Sequence, residues 1–468
     1  MMFRRSRNVD LETAHEALAQ GQYDVAFAML ENAVRRGASR GQQGPYWLHL
    51  AALYALYGDD GIDNGQPALR NAVTAEPNLV SHPLYRALYW EFAALRGASV
   101  GDVKRGVRDV VAEGDPVASY HAASALFAVG ASRSSGKALT AVEEDALPAY
   151  LRWRRWSLLG QCHEAMGEWE QAAEAFERAV DTAPQPESGA ERLSLAGALI
   201  ELQRTDQALD VLSQIDDPSL NDDERAVQRY LLGRAHLELD NPNLALELLR
   251  EAAALDEGAG EPSYSVAFAT GQALAALGRQ DEAAEAFRVA LEVAPAEHRA
   301  FTQHEAAFAL TESDRLNEAE DLLAEVVSDP SYSHRAEALA DLADVRFRRG
   351  EFESAQTLAE QALELGATAP ACITLGNIAY EYYRLEEAAS WFEQAVSAST
   401  GGDPFWVSAH QMLADVYAQM GQEHAEQVLV HARAALEHTD PASEWYLPLS
   451  RHVDDAKARL GGFDRLLN

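Results

Sequence analysis

The chain has 468 residues, of which 47% are hydrophobic, 8% aromatic and 24% charged, and its formal net charge is −36 at pH 7. That length exceeds the roughly 250 to 300 residues over which one core keeps growing, so the chain is several domains or a repeat array, and its composition excludes disorder. Residues 1–156 hold 17 Lys plus Arg against 17 Asp plus Glu and the remainder 21 against 57, a field that disfavours nucleic acid and anionic membranes.

The opening MMFRRSRNVDLETAHEAL is basic but turns polar and amphipathic where a signal peptide needs a continuous apolar stretch. No run approaches the 18 or so apolar residues of a membrane span, so the expectation is a soluble, cytoplasmic protein. Residues 1–150 read as irregular helical hairpins of near-neutral charge. Within them, Asp59 to Gly65 lacks the Gly placement and terminal Glu of a calcium loop. The stretch from Gly130 to Ala138 has one residue too many for a phosphate loop, and no Ser or Thr follows Lys137. Next comes a basic and aromatic island, Arg152, Trp153, Arg154, Arg155 and Trp156, whose expected role is an internal contact with acidic neighbours, Trp156 being core.

From Trp153 the pattern becomes regular: Trp156, Leu159-Gly160, His163, Gly167, Ala172, Phe176, Ala179 and Pro184. The same spacing recurs as Gly271, Leu274, Gly278, Ala283, Phe287, Ala290 and Pro295. Small residues where two helices of a hairpin cross follow one another as Ala14, Ala51, Ala93, Ala123, Gly160, Ala196, Gly233, Gly271, Ala307, Ala343, Gly376 and Ala414. Their separations are 37, 42, 30, 37, 36, 37, 38, 36, 36, 33 and 38 residues, which leaves the register around Ala93 irregular. Residues 151–440 thus form regular, strongly acidic repeats, and 441–468 a capping helix (Ser443 to Leu460) and tail.

This pattern resembles the tetratricopeptide repeat, departing from it at His163, where the family has Tyr. The resemblance implies an all-α fold, a right-handed α–α superhelix (α-solenoid) of about twelve hairpins, whose concave groove binds a protein or peptide. At fixed offsets around the crossing residue, the first helix of each hairpin directs side chains into that groove. The residues so placed are Tyr230 and Arg234; Phe268 and Gln272; Phe301, His304 and Phe308; Asp344; Asn377 and Tyr380; and Asp415. Glu337 and Glu381 join Asp344 and Asp415 in making its C-terminal part acidic, so a basic partner is expected, and the face offers no Lys for a chaperone's C-terminal carboxylate.

No catalytic set assembles. His163-Glu164 and His304-Glu305 each begin a zinc-protease motif, but Gly167 and Phe308 stand where the second His belongs. Cys162 and Cys372 are too few for a disulfide framework or a cysteine zinc cluster. The expected function is therefore a scaffold or adaptor with no enzymatic activity, metal or cofactor. Two other roles fit the same fold: a sensor closing on a small ligand or signalling peptide, and a structural subunit of an envelope, pilus or secretion assembly.

Overall fold

The computed structural model describes residues 2–38, 43–184, 188–216, 220–259 and 263–466. Among these the backbone is helix and turn, with no strand. It divides into two compact units, 1–259 and 260–468.

The first unit is a run of antiparallel hairpins. In chain order these are Met2–Ala19 with Tyr23–Ala38 (α1, α2), Gly44–Ala55 with Ile62–Ala75 (α3, α4), and Pro83–Leu95 with Val100–Glu113 (α5, α6). Pro116–Ala128 with Ser132–Thr140 (α7, α8) and Ala149–Glu164 with Trp169–Thr182 (α9, α10) follow. Ser188–Glu201 with Thr205–Ser213 (α11, α12) and Asp222–Glu238 with Pro242–Ala259 (α13, α14) complete it. The second unit continues with Tyr264–Ala276 and Gln280–Val293 (α15, α16), Ala296–Glu312 and Leu316–Ser328 (α17, α18), and Arg335–Arg348 and Phe352–Leu365 (α19, α20). Thr368–Glu381 and Leu385–Ala398 (α21, α22), then Pro404–Met420 and Ala425–Glu437 (α23, α24), precede a single helix, Tyr446–Leu466 (α25). That helix packs Leu449 and Val453 against Ala414, Ala432 and Ala435 of the last hairpin.

Several hairpins close on a size-matched pair sixteen residues apart in sequence. A Cβ on Gly160, Gly271 or Gly376 in the first helix would lie 2.6 Å from the ring of Phe176, Phe287 or Phe392 in the second. Where the first helix carries Ala123, Ala196 or Ala307, the residue sixteen on is the smaller Leu139, Leu212 or Leu323, all buried. In these six pairs a near-constant volume keeps the crossing close-packed while the two residues trade mass. Elsewhere the spacing holds with a smaller sum, as where Gly233 meets Leu249.

The same rule corrects one crossing position. Ala93 is partly exposed, whereas Ala87 and Val103 on α5 and α6, again sixteen apart, are both 0% exposed. Ala87 is the crossing residue of the third hairpin. It lies midway between Ala51 and Ala123, so the irregular spacing at this point disappears.

Most turns within hairpins pass through the left-handed region at one position. Gly fills it at Gly167, Gly278 and Gly350, but Gln203, Asp240, Asp314 and Tyr383 also adopt it, at φ 55 to 60°. Tyr383 (φ 58°) is 70% exposed, so little packing offsets its backbone strain. Tyr383→Gly is expected to raise stability by about 0.5–1 kcal/mol in a urea melt, the strain relief exceeding the entropy that Gly adds to the unfolded chain. A destabilised variant would show that the tyrosine ring is anchored.

Both cysteines are free and buried. Burial pushes Cys162 up, and Cys372 to about 11.

Candidate functional site

In the second unit the first helices of four consecutive hairpins line one groove of ≈ 390 Å³. Phe308, Thr311 and Glu312 come from α17, Asp341, Asp344 and Arg348 from α19, Ile373 and Asn377 from α21, and Pro404 and Phe405 from α23. The helical period explains the convergence. Phe308, Asp344 and Asn377 each follow a crossing residue by one position, and that offset points away from the partner helix. Phe308 is 50% exposed and Phe405 41%, so both rings stand in the groove and outside the core.

Charge in this groove is unbalanced. Arg348 is its one guanidinium, held by Asp344 at 2.7 Å and Glu312 at 2.8 Å, while Asp341 adds a third carboxylate. Burial holds the Asp344 carboxyl above its usual range despite the opposing pull of Arg348.

The other sequence-assigned residues fall into neighbouring clusters. Phe268 on α15 contacts Phe301 on α17 with ring centroids 5.7 Å apart, and Tyr264 stacks on His298 at 5.5 Å and 10°. Phe301 is 36% exposed and continues this ladder to His334 at 6.1 Å. Gln272 is exposed. His304 is 9% exposed, its Nδ1 bonded to the Tyr332 hydroxyl (3.0 Å) and its Nε2 to Asp341 (2.8 Å). It braces the groove wall more than it lines the groove. Tyr332 lies in the loop between α18 and α19, and burial pushes its phenol up to about 12.

Tyr380 donates to Asp415, and Gln419 Nε2 donates to the same carboxylate at 2.8 Å. A hydrogen bond from His452 is the largest influence holding Asp415 below its usual range, with Tyr380 and Gln419 adding to it against burial. Glu337 is exposed and Glu381 is too. Tyr230 and Arg234 belong to the first unit, where Arg234 pairs with Glu201 at 2.7 Å.

The basic island is internal, as expected, with its two tryptophans exchanged. Trp153 is 6% exposed, while Trp156 is half-buried between the Arg155 and Arg178 guanidinia and donates to Glu144 (3.1 Å). Sequence reasoning missed Phe405, Glu312 and Arg348. Glu312 and Arg348 were findable, since both lie five residues beyond a crossing alanine, one turn on from Phe308 and Asp344.

Among the described residues no group of three or more His, Cys, Asp or Glu is arranged to hold a metal ion, and no helix is long and apolar enough to cross a membrane.

The family model described as Tetratricopeptide repeat matches residues 153–186, 230–298 and 340–404. No curated protein matches the chain. Among solved structures it is similar to the APC/C hetero-tetramer Cut9-Hcn1 (14% identity, 95% of each chain, TM-score 0.45). It is similar also to the apo quorum sensor NprR from B. thuringiensis (14% identity, 65% of this chain and 97% of that one, TM-score 0.49). A third is PilW, a type IV pilus biogenesis factor (17% identity, 48% and 97%, TM-score 0.38). These likenesses are too distant to bear on what the chain binds. Over the matched residues this chain carries tetratricopeptide repeats, each match lying on the helical hairpins described above.

Proposed function

We propose that the protein is a non-catalytic interaction scaffold whose second unit binds a peptide segment in the groove along α17, α19, α21 and α23. One observation carries this reading: exposed Phe308 and Phe405 flank a groove with three carboxylates and a single guanidinium. Aromatic anchors desolvate much area at low entropic cost, and unbalanced carboxylates select for Arg or Lys between them. The partner segment is therefore basic, with apolar side chains on either side of its cation.

Selection of random peptides displayed on phage against the full chain tests this. Enriched sequences are expected to carry Arg or Lys next to Leu, Ile or aromatic residues. Phe308→Ala should weaken the best peptide by about 2 kcal/mol, roughly thirtyfold, with stability changed by no more than about 0.5 kcal/mol. Enrichment of acidic peptides, or undiminished binding by Phe308→Ala, would refute the assignment.

A further inference from the structure

The first unit holds a pocket of ≈ 500 Å³ between α4 of one hairpin and α5 of the next. That volume falls in the range of about 300–1,000 Å³ typical of small-molecule sites. Leu69 and Phe92, both buried, form its floor. Tyr85 and Tyr89 line it from α5, and their spacing of four residues sets both rings on one face of that helix. Tyr85 is half-buried and Tyr89 exposed, so the phenols stand between the apolar floor and solvent.

The charge in this pocket has one sign. Arg70 on α4 and Arg96, just past the end of α5, both line it, and no Asp or Glu does. Arg70 accepts a hydrogen bond from Thr74 through its carbonyl, but among the described residues its guanidinium has no partner. Arg96 is held only loosely, 3.9 Å from Asp63, whose own side chain is 96% exposed. Among the described residues neither phenol hydroxyl has a hydrogen-bond partner. Burial, with Tyr89 adding to it, holds the Tyr85 phenol above its usual range, so it remains a protonated donor at neutral pH.

Two guanidinia and two phenol O–H groups are thus donors around an apolar floor, with no carboxylate among the lining residues to accept from them. A guanidinium presents a planar fork that fits a carboxylate, and its hydrogen bonds to one are charge-assisted. The floor adds affinity only if the ligand also carries an apolar body that covers it, which favours an organic acid over a bare inorganic anion.

We propose that this pocket binds a small organic carboxylate, its aromatic or branched body over Leu69, Phe92 and the tyrosine rings and its carboxylate held by Arg70 and Arg96. The site is independent of the groove in the second unit.

Isothermal titration of the full chain with 3-phenylpropanoate tests the site. Its alcohol, 3-phenylpropan-1-ol, is the uncharged control, and acetate is the control without an apolar body. Saturable one-to-one binding of 3-phenylpropanoate is expected, with the alcohol and acetate each at least about tenfold weaker. Arg70→Gln removes an exposed cation, leaves the floor intact and should weaken binding at least about tenfold, the loss of one charge-assisted contact. Ala93→Phe fills the pocket, leaves both guanidinia in place and should abolish binding. Arg108→Gln removes an exposed guanidinium of α6 that does not line the pocket and should leave binding unchanged. No saturable heat up to about 10 mM 3-phenylpropanoate, equal binding of either control, or undiminished binding by Arg70→Gln would overturn the proposal. Equal weakening by Arg108→Gln and Arg70→Gln would also overturn it, since the acid would then be following only the general charge of the unit.

Discussion

Phe287→Ala is expected to cost about 3–5 kcal/mol of stability, because the ring is 1% exposed and fills the space left by Gly271 across the hairpin. Gly271→Ala alone should also destabilise, by roughly 1–2 kcal/mol. Its new methyl falls 2.6 Å from that ring, and the overpacking outweighs the gain of about 1 kcal/mol in helix propensity. Combined as Gly271→Ala with Phe287→Leu, the substitutions recreate the Ala307 and Leu323 pair of the next hairpin and should recover most of the loss. Urea melts of the wild type, Gly271→Ala, Phe287→Leu and the double variant measure the coupling. Additive losses in the double variant would mean that the size-matched pairing does not govern the crossing.

This pairing explains why the repeat was legible before any coordinates. Small and large residues sixteen apart belong to one hairpin, so the constraint is local and survives wide variation elsewhere in the sequence. It failed at α5 because composition offers three alanines there, Ala87, Ala93 and Ala94, and Ala93 lies on a different face of the helix from the buried other two. Phe92, beside Ala93, imitates a repeat aromatic. Its ring instead reaches back to the preceding hairpin, where a Cβ on Gly65 would meet it at 2.3 Å. A partner as small as Val103 gives the true crossing no conspicuous mark.

The groove was partly legible for the same reason. One offset from the crossing residue brings Phe308, Asp344 and Asn377 together, and helical geometry alone dictates that. His304 shares a helix face with Phe301 and Phe308 but is covered by Tyr332, a loop residue that no helical period locates. The first unit's pocket escaped notice because its residues come from a second helix, α4, as well as from a first, α5, so no single offset from a crossing residue collects them. The exchange of Trp153 and Trp156 has a different origin: both flank the same arginine cluster, and cation–π contacts on two sides let Trp156 remain half-exposed.

Acidification is expected to weaken the second unit through a histidine pair. His410 on α23 is 6% exposed, lies 4.1 Å from the Trp406 ring and has its Nδ1 2.9 Å from Nδ1 of His431 on α24. At that separation one nitrogen donates and the other accepts, so a second proton has no place between them. Burial, then the charge of His431, lowers the His410 pKa from 6.5 to about 4. Burial also lowers His431, opposed by Glu393. The unfolded chain therefore binds more protons than the folded one as pH falls through this interval. The stabilisation is complete above pH 6.5 and lost progressively toward about 4, at 1.36 kcal/mol per pH unit or about 3 kcal/mol in all for His410. In the first unit His15 is likewise lowered to about 4, first by burial and then by His49. His410→Phe should accordingly make the acid limb shallower without flattening it. Denaturant melts of both proteins at about pH 7.5 and about pH 4 compare the stability each loses. An equal loss in the two would place the acid sensitivity elsewhere in the chain.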